Sequence, residues 1–128
     1  MLWDPDGRLP WRMRSCRGKN IRWDEHSPAQ FLLRPGKTYA IRYTLNICAA
    51  SPAGGAGTVF LRQSPCGAFM DMLPLHVSLD PAGGPQTLQY AAILYPCTSS
   101  GPETGVSLVL EGKHSLCVEQ AVMDVIEL

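Results

Sequence analysis

The chain reads as an all-β domain, an antiparallel sandwich or barrel, on three observations. Apolar and polar residues alternate in short runs, strings rich in Gly, Pro and Ser separate those runs at close spacing, and no segment carries a convincing 3.6-residue apolar period. The longest alternation, Lys37 to Ala50, organises the rest. Tyr39, Ile41, Tyr43, Leu45 and Ile47 fall on one side of an extended chain and Ala40, Arg42, Thr44, Asn46 and Cys48 on the other, because strand side chains alternate with a period of two. One apolar face implies one buried face. Arg34-Pro35-Gly36 opens this strand, and the Pro- and Gly-rich string from Ser51 to Gly57 closes it.

Taken in order, Met1 to Asn20 has little periodicity and carries Arg8, Arg12, Arg14, Arg17 and Lys19 against Asp4 and Asp6. Residues 1–20 are therefore set apart as a basic arm from a domain spanning residues 21–128. Such an arm, with Trp3 and Trp11, can bind nucleic acid by phosphate contact and stacking. It can equally wrap its own domain or a neighbouring subunit, Arg stems and Trp rings covering apolar surface. The second reading is the expectation, because the arm lacks a continuous basic run and the body adds no basic patch.

Ile21-Arg22-Trp23 and Gln30-Phe31-Leu32-Leu33 read as the first two short strands. The Asp24-Glu25-His26 triplet between them is a solvated turn ahead of Pro28 rather than a metal site, since neighbours on an extended chain point to opposite faces. After the central strand come Gly57 to Gln63, then a turn at Ser64 to Gly67, then the alternation Leu75-His76-Val77-Ser78-Leu79, with His76 on the more polar side. Thr87 to Tyr95 places Leu88, Tyr90, Ala92 and Leu94 on one face, while Ala91, Ile93 and Tyr95 lend the other some apolar character. Val106 to Glu111 is the next strand. The last segment runs from Leu116 to Leu128, and within it Ala121 to Leu128 is apolar on both faces apart from Asp124 and Glu127, so cover on both sides is expected, a neighbouring subunit being the simplest source.

A chain of 128 residues is one domain and buries roughly two-thirds of its unfolded surface. Eleven basic residues balance eleven acidic ones, so no global field draws it to nucleic acid or to an anionic membrane. No apolar run approaches the roughly 20 residues that span a bilayer, and the amino end lacks the order of a signal peptide, so no membrane insertion is expected. Cys16, Cys48, Cys66, Cys97 and Cys117 are odd in number and contain no Cys-x-x-Cys pair. Mostly reduced, buried thiols are expected, with Cys66 and Cys97, each beside a Pro, as the alternative bridge.

Catalysis finds no support in the motifs. His114 and Cys117 lie three apart, which on a strand is opposite faces, and no phosphate-cradling Gly loop is present. A non-enzymatic protein without cofactor or metal is the expectation.

Phe31-Leu32-Leu33-Arg34-Pro35-Gly36-Lys37-Thr38-Tyr39, continuing Ala40-Ile41-Arg42-Tyr43-Thr44-Leu45-Asn46-Ile47, resembles the "strand, Gly-Lys-x-Tyr, x-x-Tyr-Thr-Val-Asn" core of the tumour-necrosis-factor and complement globular-head jelly rolls. The likeness looks closest to their bacterial relatives, the heads of spore-surface collagen-like glycoproteins. Gly57 to Arg62, Val106 to Leu110 and Val122 to Leu128 are similar to later strands of that family, in its order. No Gly-X-Y stalk accompanies them, and Gln63 to Gly67 stands where the family usually has an Asn-Gly turn. The resemblance implies a jelly roll of about ten strands, packed as a homotrimer at a cell or spore surface. The doubly apolar last segment motivates the same assembly, with trimer contacts expected along the axis from Tyr90, Met123, Val125 and Ile126. The alternative function is a glycan- or receptor-binding module using loops 50–57, 64–71 and 96–104, with Phe69, Asp71 and Tyr95 as the plausible contacts.

Overall fold

The computed structural model describes residues 1–11, 13–24, 26–27, 29–64, 70–96 and 103–128, with the side chains of residues 13, 64 and 70–72 outside that description. Among the described residues there are ten strands and no helix: β1 (Leu2–Trp3), β2 (Met13–Arg17), β3 (Ile21–Trp23), β4 (Phe31–Leu33), β5 (Tyr39–Ala49), β6 (Gly55–Ser64), β7 (Met70–Leu79), β8 (Gln86–Leu94), β9 (Thr104–Glu111) and β10 (Leu116–Glu127). They form two five-stranded sheets. One runs β1-β10-β5-β8 with β2 also paired to β10, and the other runs β3-β4-β9-β6-β7. From β4 onward the chain passes repeatedly between sheets, the connectivity of a jelly-roll sandwich. Every pairing is antiparallel except β2 with β10, which is parallel.

The alternation in β5 sets the core. Tyr39, Leu45 and Ile47 are fully buried and Ile41 and Tyr43 nearly so, packed with Phe31, Leu33, Val59, Leu108 and Leu110 of the opposite sheet. Two facing apolar surfaces of this kind interdigitate into one layer about 10 Å thick. At the core's edge the Tyr39 hydroxyl donates to the Arg34 carbonyl oxygen at 2.6 Å, anchoring the turn that opens β5.

The basic arm is woven into the sandwich. β1 pairs with β10, the following residues cross to the second sheet, and β2 returns to β10. On the crossing, the Asp6 and Leu9 amides donate to the carbonyl oxygens of Leu110 and Leu108 at 2.6 and 3.0 Å, and Trp3, Leu9 and Trp11 are buried in the core. Arg14 lies over the Trp23 ring, 4.8 Å from its centroid, so one cation of the arm covers an aromatic face of its own domain. Residue 20 is consequently a turn between β2 and β3 and not the edge of the packed unit.

β10 departs from expectation. Leu116, Val118, Ala121, Met123 and Val125 face the core, while Cys117, Glu119, Val122, Asp124 and Ile126 lie on the outer side or at its rim. A bulge between Val118 and Gln120 shifts the register against β5 and lets two polar residues in succession stay exposed. The strand that a single chain buries along its whole run from Thr104 to Leu110 is β9, at the centre of the second sheet.

Candidate functional site

The outer face of the first sheet is built by three adjacent strands. In the ladder, Ala40 lies opposite both Ile93 of β8 and Ile126 of β10, and Arg42 opposite Ala91 and Asp124. Alternation along β5 puts Ala40, Arg42 and Thr44 on the outward side at this point. Small side chains at the centre, flanked by branched ones, leave an open hollow of about 420 Å³ whose lining includes Ala40, Ala91, Ala92, Ile93 and Ile126. Ile93 is 65% exposed and Ile126 36%. β8 closes one end of its sheet, so this apolar surface borders an unpaired strand edge.

One polar group interrupts the face. The Arg42 guanidinium donates to Asp124 Oδ2 at 3.1 Å, and the Ser15 hydroxyl donates to Asp124 Oδ1. Those bonds, that from Ser15 first, hold the Asp124 carboxyl below its ordinary value, so it is ionised and locked at neutral pH. On the opposite side of the sheet, Tyr43 and Tyr90 stack with centroids 5.8 Å apart at 20°. Burial, reinforced by the neighbouring Tyr90 hydroxyl, pushes the Tyr43 phenol up to about 12.

The predicted contact residues separate. Ile126 reaches the hollow. Met123 and Val125 are fully buried, pointing into the chain's own core, and offer no surface to a neighbour. Tyr90 is half-buried at the sheet's margin against Tyr43. Tyr95, just past β8, is 59% exposed. Asp71 stands in β7 opposite Arg62, within a strand and not in a loop, and Phe69 lies outside the described residues, as do Cys66 and Cys97. Residues 55–57 and Thr104 likewise belong to strands, so the loops are shorter than the spacing suggested.

Ile93 and Ala40 were not singled out by sequence. Their signal was present, since Ala91, Ile93 and Tyr95 give β8 a second apolar side, but pairing with Ala40 and Ile126 appears only with the register. His76 is exposed, with Nδ1 3.0 Å from the Thr58 hydroxyl. Among the described residues no group of three or more His, Cys, Asp or Glu side chains is arranged to hold a metal ion, and no helix is long and apolar enough to cross a membrane. No protein-family model matches the sequence, and no curated protein matches it.

Proposed function

We propose that this protein is a non-enzymatic sandwich head that assembles with copies of itself, as a homotrimer, and acts in surface assembly or binding. The observation that carries the reading is the apolar hollow on the outer face of β5, β8 and β10, with Ile93 standing out of it beside an open strand edge. An exposed apolar surface of this kind costs free energy in water until something covers it. The half-buried apolar margin formed by Leu73 and Leu75 of β7 and Leu88 and Tyr90 of β8 is a second, different surface. A hollow meeting a margin is a head-to-tail contact, which closes into a ring when the rotation allows. The threefold number itself comes from the resemblance to the globular heads, as does the surface setting.

Light scattering at micromolar concentration tests the assembly. The expected mass is three times that of the chain, and Ile93→Lys together with Ile126→Lys is expected to bring it to one while leaving the far-ultraviolet spectrum of the sheets intact. A wild-type protein that scatters as a monomer overturns the proposal.

A second reading has one observation of its own, the exposed ring of Tyr95 beside a turn. Aromatic rings stack on sugar faces, so a glycan array probed with the wild type and with Tyr95→Ala separates loop binding from assembly. Signal lost in the variant favours the binding module, and a blank array removes it.

A further inference from the structure

Cys48 and Cys117 are direct partners across the β5–β10 ladder, near the end of both strands. Both thiols are free and half-buried. The Cys48 thiol donates to Glu119 Oε1 at 3.9 Å. Directly opposed residues of an antiparallel pair have Cα atoms about 4.5 or about 5.5 Å apart, and both values fall within the roughly 4.4–6.8 Å that a disulfide spans. The bulge between Val118 and Gln120 lies beside this pair, where the ladder is already irregular and a small shift of one strand disturbs the fewest neighbours.

We propose that Cys48 and Cys117 form a dithiol site that reacts reversibly with small disulfides and closes to a cross-strand bridge. One cysteine, as thiolate, attacks a sulfur of the small disulfide; that reagent's S–S bond breaks, and the first small thiol leaves, taking up the proton the cysteine released. The second cysteine then attacks the protein-bound sulfur of the mixed disulfide. The Cys48–Cys117 bond forms, and the second small thiol departs with the second proton. The two cysteines lose two electrons, and the small disulfide gains them as two thiols. A strand pair held at ladder spacing does not relax fully around a bridge, so the bond is reducible by ordinary dithiols.

The surroundings set the rate. The neighbouring Cys117 thiol, with lesser contributions from burial and the Glu119 charge, keeps the Cys48 thiol above its ordinary value against the opposing pull of the Met1 amino group. Little thiolate is present at neutral pH, and exchange quickens as the solution becomes alkaline.

The test incubates the reduced full chain, dilute, with hydroxyethyl disulfide at mildly alkaline pH, then blocks remaining thiols and digests with trypsin. Cys48 falls in peptide 43–62 and Cys117 in peptide 114–128, whereas Cys66 and Cys97 share peptide 63–113, so the Cys48–Cys117 link has a mass that no other pairing gives. The expected product is the 43–62/114–128 pair, dominant over any other link, abolished by dithiothreitol and no longer dominant when the oxidation is run in concentrated urea. Cys48→Ser and Cys117→Ser are each expected to retain the small thiol as a mixed disulfide on the remaining member. The proposal is overturned if native protein leaves both thiols open to the blocking reagent, or links either of them preferentially to Cys16, Cys66 or Cys97.

Discussion

At the scale of single residues, Tyr43 carries a large alkaline response. Its phenol is 4% exposed and stacked against Tyr90, and it ionises near 12 in the folded chain against 10.0 for the free group. A group whose folded value is raised contributes stability that is whole below the unfolded value and is lost as pH climbs through the folded one. The wild type is therefore expected to lose stability between about pH 10 and pH 12. Tyr43→Phe, which keeps the ring and removes the ionisable oxygen, flattens that limb in urea titrations run across the same range. An unchanged slope in the variant would assign the alkaline loss elsewhere. The inward set of β5 was legible at this scale because five apolar residues at a period of two have only one way to be buried. The burial of Met123 and Val125 in their own core was not, since Val122, Met123, Val125 and Ile126 look alike in sequence and only the ladder with β5 decides which two face inward.

Among the elements, β2 is the instructive one. Its residues, Met13 to Arg17, have no alternation to betray a strand, and its existence depends on β10, more than a hundred positions later. Propensity cannot report a pairing of that range, which is why the segment reads as an arm in sequence. Its end is fixed by chemistry at the β2–β3 turn: the Asn20 amide and side chain donate to the two Glu127 carboxylate oxygens at 3.0 and 2.7 Å. Those two bonds hold the Glu127 carboxyl below its ordinary value. Gly18 occupies φ 144° at this turn, and a Cβ there would sit 2.5 Å from the Glu127 Cβ. Gly18→Ala is expected to cost on the order of 1–3 kcal/mol through backbone strain and to loosen β2 selectively. Hydrogen exchange would register it as faster exchange at residues 14–17 with β5 amides unchanged. Uniform exchange across both strands would mean that β2 is not a separable element.

For the molecule as a whole, the sandwich was the most legible feature, and the boundary at residue 20 the least. Eight of the ten strands fall where alternation and turn strings put them, from Ile21–Trp23 to Leu116–Glu127. The remainder is held by Trp3, Leu9 and Trp11, three buried side chains from a stretch too irregular to announce them. Each such side chain contributes about 1.5–3 kcal/mol, and a domain of this size has only about 5–15 kcal/mol in total. Deleting residues 1–20 is therefore expected to leave a chain largely unfolded or aggregated at 25 °C, seen as loss of the cooperative thermal transition. A truncated chain that melts like the parent would return those residues to the status of an appendage.

The position of β10 has a consequence for how the protein is made. It lies between β5 and β1 and also carries β2, so the first sheet has no middle until residues 116–127 exist. During synthesis β5 waits without its principal neighbour while some seventy residues are added, and the amino-terminal strands wait longer still. Closure of that sheet is thus a late, single event that long-range pairing makes slow. In that interval the nascent chain offers its unmated edges to whatever chaperone, or second nascent chain, stands nearest the ribosome exit.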